Sequence, residues 1–124
     1  MVLHSSGEWA EVTDVVVVGS GGAALTAATL AADGGASVVV LEKNAALGGT
    51  TGVSGGGIWI PNNRHLAPAG LEDSREDAVA YLRRTSDGRA LDPELIEVYV
   101  DTAPEMLEYL EAKTPLRTQP VTNL

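Results

Sequence analysis

The sequence predicts an α/β fold, and three observations predict it. Asp14-Val-Val-Val-Val18 and Ser37-Val-Val-Val-Leu41 are short β-branched runs, the pattern of buried parallel strands. Ala23 to Ala32, between them, is an alanine-rich stretch that reads as a helix. A knot of glycines, Gly19, Gly21 and Gly22, stands where the first run meets that helix. Strand, helix and strand in succession make one βαβ unit, and the right-handed crossover rule places both strands in one parallel sheet.

Taken in order, residues 1–13 read as a flexible leader. The opening MVLHSSGEWAEVTD has neither a basic start nor an apolar centre, so it does not read as a signal peptide. The first strand, the glycine turn Gly19–Gly22 and the first helix follow, and Asp33-Gly34-Gly35 end that helix. The second apolar strand follows, Ser37 to Leu41 with Glu42 at its end. Residues 44–63 hold Gly48, Gly49, Gly52 and Gly55 to Gly57, too many glycines for a regular helix or strand, and read as an ordered loop wrapped around something. Beyond it, Ser74 is placed to cap a helix, with Asp77 three residues on, running to about Arg84. Asp92-Pro93 is an N-cap followed by proline at the first helical position. Leu95, Ile96, Tyr99 and Val100 keep a helical period after it. Pro104 is expected to break or kink that helix, because its ring clashes with the carbonyl four residues back; a further helix through Met106, Leu107 and Leu110 would then reach about Lys113. Residues 115–124 show no stop signal, and the text reads as interrupted there.

The totals exclude several functions. A formal net charge of −9, from seventeen acids against eight bases, argues against nucleic acid as a partner. With no cysteine there is no disulfide framework, thiolate metal site or cysteine nucleophile, a composition compatible with the cytoplasm. No apolar run approaches the ~20 residues of a transmembrane helix. No cluster of His, Asp or Glu has metal-ligand spacing.

The chemistry lies in Gly19-Ser20-Gly21-Gly22-Ala23-Ala24, which fits G-x-G-x-x-G/A. Gly19 permits the tight turn off the strand, and Gly21 removes the Cβ that would keep a pyrophosphate away. Ala24 allows close packing of helix on sheet. Phosphates would rest on the free N–H groups of the helix N-terminus, where the helix dipole favours negative charge. The G-K-[ST] of a P-loop is absent. The second strand ends in Glu42, a carboxylate placed to accept hydrogen bonds from a ribose diol, and one that disfavours a 2′-phosphate and hence NADP. A bare tight turn followed by a solvated strand end would not require this agreement of spacing, context and acid.

Between NAD and FAD, the stretch after Glu42 decides. An NAD-binding unit continues from its second strand into an ordinary helix or crossover. Here Lys43-Asn44 lead instead into the long glycine-rich segment. A second loop of that kind suits the larger FAD, with Thr50, Thr51 and Ser54 supplying hydroxyls. Ile58-Trp59-Ile60-Pro61, apolar and immediately after the glycines, argues against a loose surface loop. The fold class is therefore α/β, a Rossmann-type FAD-binding domain that is incomplete.

These residues carry a resemblance. VVVVGSGGAALTAA, VVVLEK and GGTTGVSGGGIWIPNN resemble the N-terminal part of the succinate dehydrogenase/fumarate reductase flavoprotein family. Within it they are most similar to the 3-ketosteroid dehydrogenases, which have a similar GG-T-T, SGGG and W-x-P-N-N succession. The helical text PELIEVYVDTAPEMLEYLEAKTPLR is similar to that branch too, so the resemblance covers roughly residues 12–118. It implies phosphate contacts at Gly19, Ser20, Gly21, Gly22, Ala23 and Ala24, and adenosine contacts at Glu42 and Lys43. Gly49, Thr50, Thr51, Ser54, Gly55 and Gly56 would line the diphosphate and flavin side. Gly49 takes the place where members with covalent flavin carry a histidine, which implies non-covalent FAD. The resemblance further implies dehydrogenation next to a carbonyl, with hydride passing to flavin N5, a steroid substrate and a separate electron acceptor. A fumarate reductase-like dicarboxylate flavoprotein and a non-catalytic remnant are the alternatives. Family members are several times longer, so residues 14–124 read as the N-terminal part of an FAD-binding domain, lacking the substrate domain and the C-terminal FAD segment. The family's catalytic tyrosines are expected beyond Leu124.

No catalytic residue is therefore expected within this chain. Tyr81, Tyr99 and Tyr109 lie in helical text and are read as helix-packing residues. His65 has no partner carboxylate nearby in sequence. The acids of residues 72–111 are read as solvated helix faces with some i,i+4 pairs.

Overall fold

The computed structural model describes residues 12–86, 89 and 92–122, so most of the expected leader lies outside the described residues. The chain forms two compact units, Met1–Gly57 and Ile58–Leu124.

The first unit is the βαβ motif. β1 (Val15–Val18) and β2 (Val38–Leu41) pair in parallel, Val15 opposite Val38 and Val18 opposite Leu41. α1 (Gly22–Asp33) crosses between them and packs against both. Ahead of the ladder, Asp14 and Ser37 lock the strand starts. The Ser37 amide and hydroxyl donate to Asp14 Oδ2 at 2.8 and 2.7 Å, and the Asp14 amide donates back to Ser37 Oγ at 2.9 Å. β1 is not buried on both faces as its sequence implies: Val15 and Val17 are half-buried, while Val16 and Val18 are exposed. The physical reason is coverage, since among the described elements only α1 packs on this strand pair. The glycine-rich segment is ordered, but it is not all loop. Gly49–Gly52 close one helical turn, α2, which packs against α1.

The second unit is a helix pair. A 3-10 turn at Ala67–Ala69, which the sequence reading missed, precedes α3 (Arg75–Thr85) and α4 (Pro93–Lys113). Both caps form as expected. Ser74 Oγ accepts from the Asp77 amide and donates to the Asp77 carboxylate, and Asp92 accepts from the Glu94 amide at 3.0 Å. Pro104 overturns an expectation, because α4 runs through it unbroken. A proline costs one amide hydrogen bond and a carbonyl clash. Here the two turns around it are anchored by Val100, Ala103 and Leu107, all buried, so packing outweighs the local penalty. Ala78, Val79, Ile96 and Val100 form one core cluster between the helices, and Ile60, Ala103 and Leu107 a second.

Polar contacts in this unit also depart from the sequence reading. Glu111, expected on a solvated face, has a side chain only 1% exposed. It accepts from Arg64 at 2.6 Å, from His65 Nε2 at 2.9 Å, and from the Thr118 amide and hydroxyl at 3.0 and 2.7 Å. These donors hold its pKa down to about 2, the Thr118 hydroxyl contributing most. The exposed ion pairs run between helices rather than along one: Arg75 to Asp101 and Glu97, and Arg83 to Glu97. Tyr81 and Tyr99 are half-exposed and pack on Trp59, whose backbone carbonyl accepts from the Tyr99 hydroxyl. Burial raises the Tyr99 pKa. No helix among the described residues is long and apolar enough to cross a membrane.

Candidate functional site

The site is built in the first unit, where the parallel ladder delivers both strands to one edge. The Gly19 amide donates to the Leu41 carbonyl at 2.7 Å, carrying the pairing one bond past the strands. Gly19 then turns with φ 93°, a left-handed conformation that costs glycine nothing. Ser20 follows, 1% exposed, and Gly21 caps α1 in an extended conformation.

Ser20 and Glu42 are brought together by this geometry. The Ser20 amide donates to Glu42 Oε2 at 3.0 Å and its hydroxyl to the same oxygen at 2.6 Å. Glu42 Oε1 accepts from the Asn44 amide at 2.9 Å. The Glu42 pKa lies below the ordinary carboxylate value, first through the Ser20 hydroxyl and then through the Asn44 amide, so the group is an anion at neutral pH.

The second glycine loop sits directly on the first turn. The Gly48 amide donates to Ser20 Oγ at 2.9 Å, and the Gly22 amide donates to Thr51 Oγ1 at 3.0 Å. Gly48 and Gly49 both have positive φ, 114° and 54°. A Cβ on Gly49 would stand 3.3 Å from the Gly21 Cα, so the two loops meet backbone to backbone. Together they enclose a cleft of about 360 Å³ lined by Gly19, Ser20, Gly21, Glu42, Lys43 and Gly49, with Val18, Leu41 and Asn44 completing it.

Of the expected site residues, Gly22, Ala23 and Ala24 form the first turn of α1. Thr50 and Thr51 stand on α2, and Thr51 Oγ1 accepts from the Gly22 amide of the glycine turn. Ser54, Gly55 and Gly56 do not line the cleft: Ser54 Oγ donates to the Thr51 carbonyl at 2.9 Å and accepts from the Gly56 amide at 3.1 Å. Sequence reasoning missed Asn44, whose contribution is a backbone amide that no side-chain pattern could advertise. A larger hollow of about 460 Å³, beside Asn62, Leu66 and Asp73 in the second unit, holds none of the expected residues.

These residues fit the ADP half of a dinucleotide. A Cβ at Gly21 would meet nothing within 4 Å, so the approach to the α1 N-terminus is open on that side. The N-cap residue Gly21 has no side chain to cap the helix and the first turn carries no acid; Thr51 Oγ1 takes the Gly22 amide, but no carboxylate of that turn neutralises the positive end of the dipole.

Comparison with known proteins decides which dinucleotide. A family profile described as FAD binding domain matches residues 14–123. The chain belongs to the FAD binding domain family. Its cofactor is FAD, and the fold is the α/β fold of flavoprotein FAD-binding domains, present in part. Over 104 residues the chain is 49% identical to the 3-oxosteroid 1-dehydrogenase of Mycobacterium tuberculosis, an alignment covering 84% of this chain and 18% of that protein. Over 98 residues it is 52% identical to the 4-oxocyclohexanecarboxylate 2-dehydrogenase of Sinomonas cyclohexanicum, covering 79% and 17%. In three dimensions it resembles the 3-ketosteroid Δ1-dehydrogenase of Sterolibacterium denitrificans in complex with 1,4-androstadiene-3,17-dione. The TM-score is 0.72 at 43% identity, over 81% of this chain and 17% of that one. The chain thus spans about a fifth of the length of the relatives it matches. The FAD binding domain assignment agrees with the cofactor expected from the glycine motifs.

Proposed function

We propose that this chain is the adenosine- and diphosphate-binding portion of an FAD-dependent oxidoreductase that dehydrogenates a ring next to a ketone, most naturally a 3-ketosteroid. The observation that carries the reading is the cleft lined by Gly19–Gly21, Glu42 and Gly49, with the Gly48 amide bonded to Ser20 beside it. Its similarity to 3-oxosteroid 1-dehydrogenases supports the substrate class. When bound, FAD supplies the hydride acceptor. This chain's own work is to bind and orient it. The amides of the α1 N-terminus and the Gly49 loop hold the diphosphate, Lys43 and Glu42 flank the adenosine, and the ionised Glu42 accepts from the ribose. Thr50, Thr51, Ser54, Gly55 and Gly56 belong to the flavin side of the same loop. Residues 14–124 are the first segment of that domain, and groups that touch substrate come from elsewhere in the protein. A cytoplasmic setting and a separate electron acceptor complete the proposal.

The test is to purify the full-length protein, record its flavin spectrum, and follow reduction of an acceptor dye with 4-androstene-3,17-dione. Rapid turnover supports the reading; a yellow protein inert toward steroids rejects the substrate. A second substrate is favoured by the 52% identity to the 4-oxocyclohexanecarboxylate 2-dehydrogenase, so 4-oxocyclohexanecarboxylate belongs in the same assay. Faster turnover of that acid would move the assignment to a monocyclic ketone. Binding is proposed to be non-covalent, with Gly49 at the attachment position. Acid precipitation should release all the flavin, and colour left in the pellet would overturn that part.

A further inference from the structure

The Ser20 side chain invites a role different from phosphate contact. It is buried at 1% exposure, and its hydroxyl is used twice, donating to Glu42 Oε2 and accepting from the Gly48 amide. Its own amide is spent on the same carboxylate oxygen. One small side chain therefore touches the strand end that meets the ribose and the loop that meets the diphosphate. We propose that Ser20 is the positioning residue of the FAD site, a hydroxyl clip that orients the Glu42 carboxylate and seats the Gly48–Gly49 loop, without itself contacting phosphate.

The proposal rests on the FAD reading above. Its physical content is pre-organisation. A glutamate at a strand end has three rotatable bonds, and freezing them during binding costs affinity. Two donors from Ser20 on Oε2 and the Asn44 amide on Oε1 fix the carboxylate before the ligand arrives. The hydroxyl on the Gly48 amide also removes a donor that would otherwise stay unpaired in a half-buried turn. Alanine at position 20 keeps the backbone bond to Glu42 and loses both hydroxyl bonds.

The experiment is a double-mutant cycle on the full-length apoprotein, titrated with FAD by flavin fluorescence: wild type, Ser20→Ala, Glu42→Gln and the pair. Loss of a hydrogen bond to a charged group predicts a weakening of roughly tenfold to a hundredfold for Ser20→Ala alone. Beside Glu42→Gln the same change should cost several-fold less than it does alone, because only the bond to the Gly48 amide is then left to lose. Additive losses, or Ser20→Ala binding like wild type, would overturn the proposal. If Ser20→Ala does not fold, Ser20→Cys, similar in size with a weaker donor, enters the same cycle with the same expected non-additivity. A folded wild type that takes up no FAD would overturn the cofactor reading and this proposal with it. Additivity in a protein that binds FAD overturns the proposal alone.

Discussion

The two units are held together by different physics. In the first, Ala28 is the one buried apolar residue among those described, and order comes from polar ties: Asp14 with Ser37, Ser20 with Glu42 and Gly48, Thr51 with Gly22. In the second, seven aliphatic residues from Ile60 to Leu107, and Pro61 with them, are buried, and the helix pair forms a packed core. The difference follows from what each must do. A cofactor cradle needs exposed amides and glycine backbone at the point of contact, so it gives up the side chains that would make a core. The helix pair instead packs its apolar stripe. The cradle should therefore be sensitive to what a substitution puts into space, and the helix pair to what it removes.

The sharpest way to break this contrast is Gly21→Val. Nothing lies within 4 Å of the added Cβ, and the φ of −71° suits any residue, so the fold should accept the change. The same side chain would stand where the diphosphate is proposed to approach. We expect FAD affinity of the full-length protein to fall roughly a hundredfold or more, equivalent to about 3 kcal/mol. An unaltered thermal midpoint of the apoprotein would accompany it. Unchanged affinity would mean that the α1 N-terminus is not the phosphate site.

Leu107→Ala probes the other side. Leu107 is 3% exposed in the cluster with Ile60 and Ala103. Deleting a buried leucine to alanine costs about 2–5 kcal/mol, as lost transfer energy plus a cavity. Hydrogen exchange should speed up across Pro93–Lys113. Exchange at the wild-type rate would show that this cluster does not stabilise α4.

How far each unit was legible follows the same division. The turn at Gly19 and the end of the second strand could be read because their requirements are local: a left-handed backbone after one β-branched run and the close of another. The helix caps Ser74 and Asp92 were readable for the same reason, each partner lying within three residues. Pro104 misled because its penalty is local while the packing that outweighs it is not. His65 and Glu111 stand 46 residues apart, and no periodicity links them. Arg75 and Asp101 are 26 apart on two helices, where only the packed pair makes them neighbours. The Ser20 hydroxyl lay inside a motif already assigned to phosphate, so its tie to Gly48, 28 residues on, was hidden by a simpler role.

Acid should separate the units further. The folded pKa of Glu111 is depressed to about 2 from an ordinary 4.5. A depressed carboxylate contributes stability that is fully present above its unfolded pKa and is lost as pH falls through the folded value. The loss should therefore run between about pH 4.5 and pH 2. Over that range Glu111 gives up its hold on Arg64, His65 and Thr118, and exchange should rise at residues 111–118. Glu111→Gln should flatten that rise while lowering protection at neutral pH. A profile unchanged by the substitution would remove Glu111 from the account.

The smallest effect is expected at the exposed ion pairs, and it tests whether packing alone carries the second unit. Arg75 donates to Asp101 at 2.6 and 2.9 Å and to Glu97 at 3.3 Å, but all three side chains are about half exposed. Water and salt screen such pairs, and ordering the long side chains offsets much of the attraction. Arg75→Ala should lower the thermal midpoint slightly in low salt and hardly at all in 0.5 M salt. A loss comparable to that of Leu107→Ala, persisting in high salt, would mean that the network of Arg75, Arg83, Glu97 and Asp101 joins the helices as firmly as their core does. The distinction between a polar-tied cradle and an apolar-packed helix pair would then fail on its helical side.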